Sequence, residues 1–214
     1  MNNKLTSTQQ GFTIIEMAVT ITIMALLLFT AVPNITSWLD NTRIRNASES
    51  LQHGLQTARA EAVRRNQNVS FWLVSTNEGA GLDNSCALDG DSASWVVSVN
   101  DPSGHCDAAP STTTSPMIVT GRAASDSSAR TTVTTVQSDN TTAGTRVTFN
   151  GFGQITNTDA IRKIDITGSD SSNTNYRKLR ITISTAGLVR MCDTHVTNTS
   201  DPRKCPNSDG NGIE

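Results

Sequence analysis

Residues 11–33 read GFTIIEMAVTITIMALLLFTAVP, and this stretch decides the fold. From Met17 to Leu39 run 23 residues without a charge. As a helix rising 1.5 Å per residue they span about 34 Å, enough for the hydrocarbon core of a bilayer. A cleaved secretory signal carries a shorter apolar stretch followed by a small-x-small site, and Phe29-Thr30-Ala31-Val32-Pro33 offers a poor one. Its apolar run also avoids carboxylates, whereas Glu16 stands at the head of this one. An ionisable side chain in a membrane helix costs about 3 kcal/mol on insertion scales and is kept for function.

Outward from this stretch, residues 1–11 are polar with a single cation, Lys4. After Pro33 the pattern turns amphipathic: Leu51, Leu55, Ala58 and Ala62 recur at one-face helical spacing and are expected to pack on a sheet. Polar residues Asn66-Gln67-Asn68 end the helix. Strand signals follow at Val69–Val74, Trp95–Val99, Met117–Val119, Thr131–Val136, Arg146–Phe149, Ile164–Ile166 and Leu179–Ile183, several of them alternating as half-buried antiparallel strands do. Between them, 77–92, 101–115 and 168–175 are loops by their Ser, Thr, Asn, Asp and Gly content. The expected class is α+β: a long N-terminal transmembrane and amphipathic helix packed on an antiparallel β-rich head.

The chain has 214 residues and a formal charge of −2, so bulk charge does not mark a nucleic-acid binder. Its four cysteines, Cys86, Cys106, Cys192 and Cys205, follow an export-type segment, which favours disulfides in three formal connectivities. The local pairs 86–106 and 192–205 would close loops of modest length, each adding about 3 kcal/mol by restricting the unfolded chain. Zinc fits less well, because Cys192, His195 and Cys205 lack a fourth ligand at a known spacing.

Gly11-Phe12-Thr13-Ile14-Ile15-Glu16 resembles the processing motif of type IV prepilins and type II secretion pseudopilins. The resemblance implies a prepilin leader, residues 1–11, cut after Gly11 by a prepilin peptidase, with N-methylation of Phe12. Glu16 falls at the family's mature position 5 and Pro33 at its mature proline, position 22, both implicated in filament assembly. Residues 12–33 would form the filament-core helix, 34–66 the amphipathic helix of the head, and 67–214 the β-rich head with disulfide-bonded loops. Physical reasoning agrees: the new amine on Phe12 lies near an apolar phase, and Glu16 of a neighbour neutralises it, setting register between staggered helices.

The C-terminal half is similar to the GspH/FimT group of minor pilins and pseudopilins. Phe149-Asn150-Gly151-Phe152-Gly153 gives its Phe-x-x-x-Gly turn, and Ile181–Ile183 followed by Gly187-Leu188-Val189-Arg190 gives its late strand and Gly-Arg-x-Arg-like segment. In DNA-binding members that segment presents two guanidinium groups to phosphate. Here Leu188 replaces the first arginine and cannot neutralise a phosphate. Arg177, Lys178, Arg180 and Arg190 are the candidate double-stranded-DNA contacts, with Arg203 and Lys204 nearby, and a solvated strand edge is the plainer reading.

No catalytic constellation stands out: His53, His105 and His195 are isolated, and neither enzyme activity nor a cofactor or metal is expected. The tail 207–212 resembles the first half of a calcium loop, but Glu214 arrives before the twelfth position, and a polar tail is expected. The expected function is a minor type IV pilin that inserts in the bacterial inner membrane, head in the periplasm, and helps initiate or cap a pilus with other pilins. A type II secretion pseudopilin and a DNA-uptake pilin are the alternatives. Intact-mass analysis of the membrane-held protein should show residues 1–11 missing and a methyl group on Phe12; a mature chain starting near Pro33 would overturn this reading.

Overall fold

The computed structural model describes residues 11–77, 81–126, 130–169 and 176–206, with residues 30–36 described by backbone alone. The leader up to residue 10 and the calcium-like tail 207–214 lie outside them. The chain divides into two units, Met1–Leu39 and Asp40–Glu214, and helix α1 (Ile14–Arg65) contributes to both.

In the first unit, Thr13 caps α1. Its hydroxyl accepts the Glu16 amide at 3.3 Å and its carbonyl accepts the Met17 amide at 3.2 Å, satisfying amides that a helix start leaves unpaired. Every Phe, Ile, Leu, Met and Val from Phe12 to Phe29 is exposed. The Thr20 and Thr22 hydroxyls donate to the carbonyls of Met17 and Ala18, so these polar groups are satisfied within the helix itself. Among the described residues no helix is long and apolar enough to cross a membrane; the side chains of residues 30–36, in the C-terminal part of the expected span, are not among them. Helix α1 continues through Pro33.

In the second unit α1 presents Ile44, Ala47, Leu51, Leu55, Ala58 and Ala62, all buried. These include the four residues expected from spacing. The helix stops because Asn66 adopts a left-handed φ of 50°. Asn66 N–H then donates to the Val63 carbonyl at 3.3 Å and Gln67 N–H to the Ala62 carbonyl at 3.2 Å, the pair of bonds that closes a helix C-terminus around a left-handed residue.

Among the described residues eight strands follow: β1 (Val69–Leu73), β2 (Trp95–Ser98), β3 (Ile118–Arg122), β4 (Thr131–Val136), β5 (Arg146–Phe149), β6 (Lys163–Gly168), β7 (Leu179–Ile183) and β8 (Val189–Asp193). They form two antiparallel four-stranded sheets, ordered β3-β2-β1-β5 and β4-β6-β7-β8. The inner residues of both sheets share one core with α1, among them Val69, Phe71, Leu73, Trp95, Val97, Ile164, Ile166, Ile181 and Ile183. Full burial of such side chains is worth about 1.5–3 kcal/mol each, so this core supplies the main stabilisation of the head.

Strands β1 and β2 depart from half-buried alternation, being buried on both faces. The outer face carries Trp72, Val74 and Val96, covered by a second cluster that includes Cys86, Cys106 and Ile118 with Leu82, Leu88 and Ala108. The polar loops thus carry a small core of their own, and the Cys86–Cys106 disulfide lies within it. Cys192–Cys205 is the other disulfide, so both bonds join local pairs.

Close approach of helix to sheet requires glycine at one point. A Cβ on Gly54 would lie 2.7 Å from Phe71 Cε2 and 2.9 Å from the Trp95 ring. These rings pair with centroids 5.9 Å apart, and Trp95 Nε1 donates to Ser50 Oγ at 2.9 Å. Alanine in a helix gains about 1 kcal/mol over glycine, whereas overpacking costs about 1–3 kcal/mol. Gly54→Ala is therefore expected to lower stability by about 1 kcal/mol and Gly54→Leu by about 3 kcal/mol or more, measured by urea unfolding of the full chain in detergent.

Candidate functional site

Two groups of residues carry the functional expectations. At the N-terminus, Gly11 and Phe12 precede the helix as exposed chain, with Phe12 79% exposed. Glu16 lies in the first turn of α1, where the helix dipole favours a negative charge. Pro33 falls inside the helical span.

The second group lies on β7, β8 and the flanking chain. Arg177 donates its backbone amide to Asn41 Oδ1 at 2.7 Å, and the neighbouring Tyr176 hydroxyl donates to Asp40 Oδ2 at 3.2 Å, fixing the start of β7 against the helix. Lys178 accepts at its carbonyl from the Thr194 amide and hydroxyl, both at 3.0 Å. Among the described residues the side chains of Arg177 and Lys178 form no ion pair.

Arg180 differs. Its guanidinium grips the Asp165 carboxylate with two bonds of 2.6 and 2.8 Å, directly across from it on β6. That pairing raises the Arg180 pKa and cancels its charge locally. A forked arginine–carboxylate pair, part-buried as here, is the stronger kind of ion pair, so a phosphate would have to displace Asp165 to reach Arg180.

Arg190 lies on β8, paired in register with Thr182. Its Nη2 donates to the Pro202 carbonyl at 2.8 Å. Pro202 belongs to the loop closed by Cys192–Cys205, which returns along β8: the Asp193 amide donates to the Arg203 carbonyl at 2.7 Å, and the backbones of Asp193 and Lys204 pair as a parallel β-bridge. Arg203 is itself paired with Asp201 at 2.7 Å. Arg190, Asp201, Pro202 and Lys204 line an open cleft of about 330 Å³. The candidate basic residues are therefore not four free cations: Arg177 and Lys178 stand at the start of β7, Arg180 is paired with Asp165, and Arg190 braces a loop.

The Gly-Leu-Val-Arg segment is a turn followed by the edge strand β8, with Gly187 at φ 80°. A Cβ at Gly187 would run into the Gly153 carbonyl oxygen, and Gly153 itself has φ 74°. Arg59 of α1 donates Nε to that same carbonyl at 3.1 Å. Two turns from different sheets thus meet on one helix arginine. Sequence spacing singled out both glycines but not Arg59, whose position beside the buried helix stripe was the available signal.

A capped helix with Glu16 in its first turn and exposed apolar side chains from Phe12 to Phe29, leading into an antiparallel β head, defines a pilin-type protein. The family model described as prokaryotic N-terminal methylation motif matches residues 6–32, and that described as type II transport protein GspH matches residues 47–187. The chain belongs to the GspH family of pilins and pseudopilins. Two crystal forms of the Pseudomonas aeruginosa type IV minor pilin FimU are similar in structure, at 18% and 21% identity, TM-scores of 0.41 and 0.42, 69% of this chain, and 90% and 87% of theirs. No curated protein sequence matches the chain.

The Arg203 side chain and then its amide hold the Asp201 carboxyl down to about 2. Because the folded-state pKa is depressed, the stabilisation is complete above the unfolded value of about 3.9 and is lost as pH falls through the folded value. Amide exchange across residues 193–205 should stay native-like at pH ~4 and loosen towards pH ~2, and Asp201→Asn should remove that pH dependence.

Proposed function

We propose that this chain is a minor type IV pilin: cut after Gly11 by a prepilin peptidase, methylated on Phe12, and held in the bacterial inner membrane by residues 12–33 with its head in the periplasm. From there it joins a pilus with other pilins and helps to initiate or cap it. The observation that carries this reading is Glu16, one carboxylate in the first turn of a helix whose large apolar side chains up to Phe29 are all exposed. Such a surface must be covered by lipid or by other helices. Once the leader is removed, the amine of Phe12 and Glu16 of a neighbour are the charges that must find each other in that apolar setting, and an unpaired buried charge is strongly destabilising. Assembly register follows from that pair, with Pro33 as the point where the helix loses one backbone donor.

A second reading, a minor pseudopilin of a type II secretion system, is favoured by the description of the family matched over residues 47–187. A DNA-receptor role is disfavoured by the engagement of Arg180 with Asp165 and of Arg190 with Pro202.

Three measurements on one strain set separate these readings. Glu16→Ala should still insert in the membrane but fall about tenfold or more in sheared filaments, equivalent to about 1.4 kcal/mol or more; unchanged incorporation would count against the register pair. Deletion of the gene should reduce surface pili rather than secretion. Duplex DNA should bind the protein weakly and with steep salt dependence, Leu188→Arg should tighten it, and tight binding at physiological salt abolished by Arg190→Ala would make the DNA role the leading one.

A further inference from the structure

Within Asp40–Glu214, the exposed large hydrophobic residues among those described are Val63, Phe152 and Leu188, at 51%, 82% and 60% exposure. They are carried by three segments that meet at one junction. A Cβ on Gly153 would touch the Val63 side chain at 3.3 Å, and one on Gly187 would strike the Gly153 carbonyl. Phe152 and Leu188 are the chain neighbours of those two glycines. Turn tips are ordinarily polar, and exposed apolar residues on three segments that meet at one rigid junction mark an interaction site.

The junction is held rigid without help from the three apolar side chains. Asn150 Oδ1 accepts the amides of Phe152 and Gln154 at 2.9 and 3.0 Å. Ser184 Oγ accepts the Leu188 amide at 3.1 Å, and the Thr185 carbonyl accepts the Ile155 amide at 3.1 Å, tying the turns together. Arg59 clamps the Gly153 carbonyl. Phe152 and Leu188 thus stand in solvent on a preformed scaffold, which limits the ordering cost of binding.

We propose that this junction docks the head of a different pilin-type subunit in the same filament; the inference rests on the filament reading above. Two arguments identify the occupant. The three side chains offer roughly 300 Å² of apolar surface, well below the about 800 Å² per partner of a freely formed complex. Such a patch is useful when another contact already holds the partner nearby, as packed stems do through effective concentration. The partner is not a second copy. A patch-on-patch contact is two-fold and closes on itself, whereas a filament needs a head-to-tail contact between two unlike surfaces. Among the described residues this head has no second exposed apolar patch to serve as receptor.

The test places a photoreactive p-benzoylphenylalanine at position 152 of the full chain in its own cells and identifies crosslinked peptides by mass spectrometry. In parallel, Phe152→Asp with Leu188→Asp is scored for recovery in sheared filaments. The expected results are a crosslink to a pilin-type subunit of different sequence, and recovery reduced at least several-fold with unchanged membrane-held level and unfolding temperature. Photocrosslinks only to DNA, to lipid or to another copy, or normal incorporation of the double variant, would overturn the docking proposal while leaving the filament reading intact. Absence of the wild-type chain from filaments would overturn both.

Discussion

The head depends on how closely helix α1 approaches the first sheet. At Gly54 the missing Cβ lets the Phe71 and Trp95 rings lie directly on the helix backbone, and Ser50, one turn earlier, satisfies the Trp95 indole. The same helix face then meets residues of both sheets, so a single stripe from Ile44 to Ala62 organises one core. Interiors pack at crystal-like density, and a wider gap at Gly54 would loosen contacts on both sheets. Arg59, on the same helix, links the turns that follow β5 and β7.

Much of this architecture was legible in the sequence. The stripe Leu51, Leu55, Ala58 and Ala62 gave the buried helix face, and the strand signals at Val69, Trp95, Thr131, Arg146 and Leu179 fall on observed strands. Periodicity could not reveal that β1 and β2 are covered on both sides, because the cover comes from loops whose composition is polar. Leu82, Leu88 and Ala108 are single apolar residues in such loops, and only tertiary structure brings them together over Trp72. The end of α1 illustrates the opposite case: Asn66 tolerates the left-handed conformation, and the polar run beginning there was a sufficient stop signal.

The candidate basic residues show why counting charges along a chain is a poor guide to a binding surface. Arg180 stands two residues from Lys178, yet register sets it across from Asp165, and pairing removes it from any patch. Register could not be read from composition. Arg190 was legible as part of a motif-like segment, but its bond to Pro202 depends on a loop that the disulfide folds back along β8. At Leu188 the departure from two arginines was visible from the start, and the structure sets it on a turn that meets the one carrying the exposed Phe152.

The four cysteines pair in chain order, the first with the second and the third with the fourth, at separations of 20 and 13 residues. That order matters for a chain whose cysteines are exposed one after another from its N-terminus. Joining each newly exposed thiol to the last one still free yields the native set directly. Oxidation of the head is thereby uncoupled from completion of its fold, because each bond closes within a segment that can be exposed before the following strands arrive.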